Sequence, residues 1–392
     1  MRILHLIPYM HPSAGGPPVV VDRWCVELQK LGCDVHVLTT DGYADGDSDE
    51  WIQEYQARYP MTVLPKRGPK GFGYSRQMRA EFQRLLAETD LVHVHNLWGY
   101  TNLLAAKFCP PANVPCLVST HGMLDPNSVG RKRLKKQVYG NLLEFPALRK
   151  TTGLVFTHPE EERLAREQCA GLPAGHVVPL GTEEPPDKTP EELTEHFLTL
   201  FPQCRDRRRI VFLSRLHSKK GLDLLIPAIK RVVAQQPDAQ LLLIGPGEPD
   251  YIAWLKGLCE ENGVADHTLF VGSLAGLDKW AALAAGDVYA LPSYQENFAI
   301  ALVEALRVGS PVICSQRVNL WSDLQQADAA TVCDLNPESV AECILSLLNN
   351  PQTARQQAAN GSRYAEEHFT WPRSATNLLR CYESILAQPS ST

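Results

Sequence analysis

The feature that most constrains this chain is an alternation of short apolar strands and helix-sized segments. It runs twice, on either side of one proline- and glutamate-rich connection. The first run begins at "RILHLIP" and continues through "DVHVLTT", "LVHVHNLW", "CLVSTHG" and "GLVFTH". Continuous apolar strands separated by helices imply a parallel sheet covered on both faces. In "GGPPVVVDRWCVELQKLG", Val20, Trp24, Leu28 and Leu31 recur at helical spacing, with Gly32 at the C-cap. Residues 180–193, "LGTEEPPDKTPEEL", lack an apolar pattern and read as the domain connection. The alternation then restarts with "IVFLSRL", "AQLLLIG", "TLFVG", "VYALPS" and "PVICS". The expected class is α/β: two doubly wound units, 1–185 and 186–370, and a last amphipathic helix in 371–392. Two such halves imply a cleft, with ligands at the carboxyl ends of the strands.

Bulk properties narrow the function. At 392 residues the chain is too long for one ordinary core, and 44% hydrophobic with 21% charged residues is a soluble balance. A net charge of −6 argues against a nucleic-acid binder working through global charge. The eleven cysteines form neither a CxxC pair nor a Cys/His cluster at metal spacing, which fits reduced thiols in a cytoplasmic protein. "MRILHLIPYM" reads as a first strand rather than a signal peptide, and no apolar run approaches the ~20 residues of a membrane span.

Several residues stand where chemistry would be expected. Gly15 and Gly16 precede a helix that opens with two prolines, so their amides can approach a phosphate; the plainer reading is a flexible turn. No GxGxxG is present there, which weakens a dehydrogenase reading. In "LSRLHSKKGLDLL", Arg215 and Lys220 follow a strand and suit a departing diphosphate, against the alternative of solvated loop charges. His121 follows one strand, and His95 and Asn96 follow the one before it, both at ligand-facing ends. Arg131, Lys132, Arg133, Lys135 and Lys136 share a segment with Leu134, Val138, Leu142 and Phe145 at helical spacing. Such a helix either lies on anionic lipid, meets an anionic acceptor, or packs its apolar stripe on its own domain. "DGDSDE" lacks the glycine and the bidentate glutamate of a calcium loop.

"SYQENFAIALVEALRVGSPVI" carries Glu296 and Glu304 eight residues apart, across a loop and a helix expected to start near Phe298. With "RLHSKKG", the Gly-Gly turn, the His-Gly after a strand and "FTW" before the last helix, it resembles the retaining glycosyltransferases of family 4 over nearly the whole chain. The resemblance implies the GT-B fold: two Rossmann-like domains facing across a cleft, the N-terminal one for the acceptor, with the last helix crossing back to it. It further implies that Glu296 and the amides of Asn297, Phe298 and Ala299 hold the donor sugar, and that Glu304 binds the nucleotide ribose. Arg215, Lys220 and the Gly15–Gly16 turn would take the diphosphate, and His121 the sugar near its reacting face. The implied reaction moves a hexose from a nucleotide sugar to a glycan or lipid-linked acceptor, with retention and without metal or other cofactor. Many relatives have Glu-Gly-Phe-Gly where this chain has Glu296-Asn297-Phe298-Ala299, a departure that bears on the sugar. Rival readings are a nucleotide-sugar epimerase, a phosphorylase lacking its Schiff-base lysine, or a silent sugar-nucleotide-binding partner. The expected location is cytoplasmic, with peripheral contact at the inner membrane through residues 131–148.

Overall fold

The computed structural model describes residues 1–11, 14–42, 50–69, 71–126 and 133–387, with side chains omitted for 133–135. The chain forms two compact units. The first runs to Gly181 and regains the chain at Trp371; the second is Thr182–Thr370.

In the first unit, β1 (Arg2–Leu6), β2 (Asp34–Thr40), β3 (Met61–Leu64), β4 (Leu91–His95), β5 (Cys116–Ser119), β6 (Gly153–Phe156) and β7 (Ala174–Val177) make one parallel sheet, ordered 3-2-1-4-5-6-7. In the second, β8 (Arg208–Leu213), β9 (Ala239–Ile244), β10 (Thr268–Gly272), β11 (Val288–Leu291), β12 (Val312–Ser315) and β13 (Thr331–Cys333) are ordered 10-9-8-11-12-13. The central strands bury both faces, as their unbroken apolar runs require: Leu4, Leu6, Val92 and Val94 lie in one core, Ile210, Val211, Phe212 and Leu241 in the other.

The helices that position functional groups are α1 (Gly16–Lys30), α2 (Tyr100–Phe108), α3 (Arg133–Tyr139), α4 (Pro190–Leu200), α5 (Leu222–Gln235), α6 (Gly276–Ala284), α7 (Ile300–Arg307) and α8 (Trp371–Leu386). Helix α8 packs on α1 within the first unit. Ser374 Oγ accepts from Trp24 Nε1 at 2.9 Å and donates to the Pro179 carbonyl at 2.6 Å, while the apolar side of α8 is buried.

The expected boundary at residue 185 moves to 181/182, for a local reason. Thr182 N donates to the Phe369 carbonyl at 2.9 Å, and Arg307 binds the Glu183 carbonyl and the Glu184 carboxylate, so "TEE" is fastened to the second unit. The rest of the supposed connection is also ordered. Thr189 and Glu192 close a reciprocal capping box that starts α4 at Pro190.

Candidate functional site

Both sheets reverse strand order at one place, between β1 and β4 and between β8 and β11. There the loops leaving neighbouring strands diverge and open a crevice at the carboxyl ends, where open α/β sheets place ligands.

In the second unit, that crevice gathers the "SRLHSKKG" loop after β8 and the "PSYQEN" loop after β11. Gly221 makes their close approach possible. Its φ is +69°, and a Cβ there would lie 2.0 Å from the Pro292 carbonyl oxygen. Tyr294 N donates to the Lys219 carbonyl at 2.8 Å, and the Lys219 ammonium is held by Gln295. With the loops clamped, Lys220 Nζ donates to Glu296 Oε1, and Ser293 Oγ reaches the same oxygen at 3.1 Å. The two charged side chains are only 15% and 12% exposed, so this pair is not a set of dispersed loop charges. Arg215 lies in the same loop, exposed and without a partner among the described residues.

Glu296 is fixed through its backbone as well: its N donates to the Arg317 carbonyl at 2.9 Å, and its carbonyl accepts from Asn319 N at 3.1 Å. Asn319 Nδ2 also donates to Asn297 Oδ1 at 3.3 Å, so the Asn297 side chain is tied to the loop after β12. Phe298 is buried edge-on against Phe369, at 5.2 Å between ring centroids, so only its backbone faces the site. The amides of Asn297, Phe298 and Ala299 have no acceptor among the described residues. Helix α7 starts at Ile300, two residues later than expected. Ala299, its N-cap, holds a left-handed conformation, φ 59° and ψ 61°. Glycine fits there without a Cβ penalty, so Ala299→Gly is expected to raise stability by up to ~1 kcal/mol, measured by urea unfolding.

Glu304 lies on α7, buried, and accepts from Lys279 Nζ of α6 at 2.7 Å. Burial raises its pKa, and the Lys279 ammonium opposes that rise. The two glutamates converge on one ring: burial, with Glu296 and Glu304 both close, pushes the Tyr289 hydroxyl up. The sequence reading overlooked Lys279 and Asn319; nothing in their spacing marks them.

In the first unit, Gly15 (φ 97°) turns the chain into α1, and a Cβ on Gly16 would meet nothing within 4 Å. The histidines form a chain. His5 of β1 pairs in register with His93 of β4, and strand alternation puts His93 and His95 on one face. His5 Nδ1 lies 3.0 Å from His95 Nε2, and His95 Nδ1 lies 3.3 Å from His121 Nε2. His93 is held by Tyr382 Oη of α8 at 2.6 Å and by Ser119 Oγ at 2.8 Å. Burial lowers all four pKa values, to about 3 for His5 and about 4 for His121, so the rings are neutral near pH 7. His5, His93 and His95 have ligand atoms within 4.8 Å of one another, but five of their six ring nitrogens are already hydrogen-bonded. The chemistry of this set is therefore hydrogen bonding, which aims the His121 ring.

Of the basic segment, Arg131 and Lys132 lie outside the described residues. Arg133 and Lys135 fall on α3, and Lys136 Nζ sits 5.2 Å over the Trp98 ring. Val138 and Leu142 are exposed, Leu142 by 70%, whereas Phe145 is buried. Beside them runs a groove of about 680 Å³, lined by Leu103, Ala106, Leu142 and Leu143 with Lys107 and Lys150. No helix of the described residues is long and apolar enough to cross a membrane.

Comparison with known proteins agrees with this geometry. Residues 203–364 match the glycosyl transferases group 1 family, and residues 15–181 match the glycosyl transferase 4-like domain. A D-inositol 3-phosphate glycosyltransferase of Jonesia denitrificans is 27% identical over 98% of this chain and 95% of its own. A GDP-mannose-dependent alpha-(1-6)-phosphatidylinositol dimannoside mannosyltransferase of Mycobacterium tuberculosis is 28% identical, over 97% and 95%. Among solved structures, Anabaena HepE in complex with UDP and glucose superposes with a TM-score of 0.78 at 19% identity, covering 98% of this chain and all of that one.

Proposed function

Since this chain belongs to the glycosyl transferases group 1 and is a glycosyltransferase of GT-B fold, we propose that it moves a hexose from a nucleoside diphosphate sugar to a polyol or lipid-linked acceptor, with retention and without a metal ion. The observation that carries this reading is the Lys220–Glu296 pair at the β8/β11 reversal, beside three amides without acceptors. In the free protein each charge satisfies the other. A diphosphate, with more negative charge than a carboxylate, draws Lys220 away, and the freed Glu296 oxygens accept sugar hydroxyls together with the open amides. Arg215 supplies a second, uncommitted cation for the same phosphates. As the sugar C1–O bond breaks, the pair of electrons stays with the diphosphate, where Arg215 and Lys220 stabilise it. The acceptor oxygen bonds to C1 on the same face and passes its proton to a departing phosphate oxygen. Glu304, held by Lys279, takes the ribose hydroxyls. The relatives' donors and acceptors support a mannose-like or glucose-like sugar and an inositol- or glycan-bearing acceptor.

The test is nucleotide release from UDP-, GDP- and ADP-hexoses in the presence of EDTA. One donor turned over at an unchanged rate supports the reading, and a rate restored only by divalent metal removes its metal-free part.

The exposed Val138 and Leu142, beside a groove flanked by lysines, favour lipid contact over packing on the domain, giving a cytoplasmic enzyme peripheral to the inner membrane. Flotation with vesicles containing anionic lipid is expected to carry the wild type and to lose a Val138→Glu/Leu142→Glu variant. Equal flotation of both would place the contact elsewhere.

A further inference from the structure

The turn that follows β5 is built at a cost. Met123 N donates to the Thr120 carbonyl at 3.0 Å, closing a turn whose two central residues, His121 and Gly122, hold φ of 47° and 72°. Two successive left-handed residues are what Asn-Gly, Asp-Gly or Gly-Gly supply most readily. Histidine carries its Cβ into that region, and such strain persists only where the surroundings over-determine the backbone.

Here the surroundings do so with a buried acid. Glu161, on the helix Pro159–Gln168, is 4% exposed. Its Oε1 accepts from Thr120 Oγ1 and from Gly122 N, each at 2.6 Å, on either side of His121. Its Oε2 accepts from Thr157 N at 2.7 Å and Thr157 Oγ1 at 2.9 Å, just past β6. No cation pairs with this carboxyl group among the described residues, so four neutral donors alone offset its lost hydration. A buried carboxylate without a cation is a costly way to fasten an ordinary turn.

The ring is held as well. His121 Nε2 lies 3.3 Å from His95 Nδ1, and the two rings stack at 5.5 Å between centroids. His95 is backed in turn by His5, at 3.0 Å. His121 Nδ1 has no partner among the described residues, and the residue is partly exposed at the carboxyl end of the sheet, one strand from the β1/β4 reversal. Backbone and ring are fixed from behind, and one imidazole nitrogen is left open.

We propose that Glu161 is a positioning residue of the transferase, holding the Thr120–Gly122 turn so that His121 presents Nδ1 to a substrate hydroxyl. Glu161 itself touches no substrate and acts through His121. A hydrogen bond from a ring is directional, and a misplacement of about 1 Å can cost ~10² in rate. The inference rests on the transferase reading and adds to it a residue that serves the reaction from behind the turn.

Steady-state transfer and histidine-selective 15N NMR, both on the full chain, test it. Glu161→Ala removes all four hydrogen bonds and is expected to lower kcat by ~10². Glu161→Gln keeps the shape but loses the charge and one amide acceptor, so its loss should be smaller, about tenfold. His121→Ala removes the ring while keeping a Cβ in the turn, and should cost as much as Glu161→Ala. Added to His121→Ala, either Glu161 substitution should cost no more than about a further factor of two, the mark of two residues acting as one. The His121 ring signals, identified by their loss in His121→Ala, should shift in both Glu161 variants. Unchanged signals from His36 on β2 show that the unit is folded; where Glu161→Ala fails to fold, Glu161→Gln carries both readouts. Equal losses with and without the His121 ring would overturn the proposal, by making Glu161 a general fastening of the sheet. Full activity in Glu161→Ala, or unmoved His121 signals in Glu161→Gln, would overturn it too. A wild type that turns over no donor would remove the transferase reading; shifted His121 signals would then still support the hold on the ring, and unmoved ones overturn it.

Discussion

Lys220→Ala is expected to lower the rate of sugar transfer by ~10²–10³, the usual loss when one stabiliser of developing charge is removed. The effect should fall mainly on kcat, because Lys220 acts most strongly as the diphosphate gains charge in leaving. The structure supplies an internal control one residue away. The Lys219 ammonium donates to Gln295, whereas Lys220 donates to Glu296. Lys219→Ala should therefore cost less than about a factor of ten, within the range of one lost hydrogen bond. Steady-state nucleotide release from both variants checks this; equal losses for Lys219→Ala and Lys220→Ala would contradict the assignment.

The second large effect is acid destabilisation of the first unit. His5 and His121 are held neutral by burial, with pKa values near 3 and 4, against 6.5 for a free imidazole. Below pH 6.5 the unfolded chain takes up protons that the folded chain refuses, so stability falls as pH falls from 6.5 toward 4. His121 alone accounts for on the order of 3 kcal/mol at pH 4, and His93 and His95, shifted in the same direction, add to it. Urea unfolding at pH 7 and at steps down to pH 4 should show this loss. His5→Asn should reduce its slope, since one refused proton is gone. A flat profile between pH 6.5 and 4 would mean that the histidine chain is charged in the folded state.

The sequence reading reached the fold because both sheets are fully covered, and strands buried on both faces announce themselves as unbroken apolar runs. Lys220 and Glu296, singled out because both follow such runs directly, meet in the structure because the strand reversal brings the two loops together. It failed where the signal was local and polar. "TPEE" is a capping-box pattern, yet the surrounding prolines and acids made residues 180–193 read as a connection. The β4 run "HVH" implied two histidines on one sheet face, but their partner His5 lies ninety residues earlier, and only strand pairing joins them. Lys279, which holds Glu304, is one lysine near a helix start, and no motif distinguishes it from a solvated one.

The central claim is that the β8/β11 crevice holds a nucleoside diphosphate sugar and transfers its sugar on the face from which the diphosphate leaves. The most direct measurement is proton NMR of the first-formed product, from the donor that releases nucleotide in EDTA and a polyol acceptor. The account predicts that an α-configured donor yields an α-linked product, and that Lys220→Ala forms the same anomer at a rate lower by ~10²–10³. A β-linked product, or an α-linked product formed by Lys220→Ala at the wild-type rate, would contradict it.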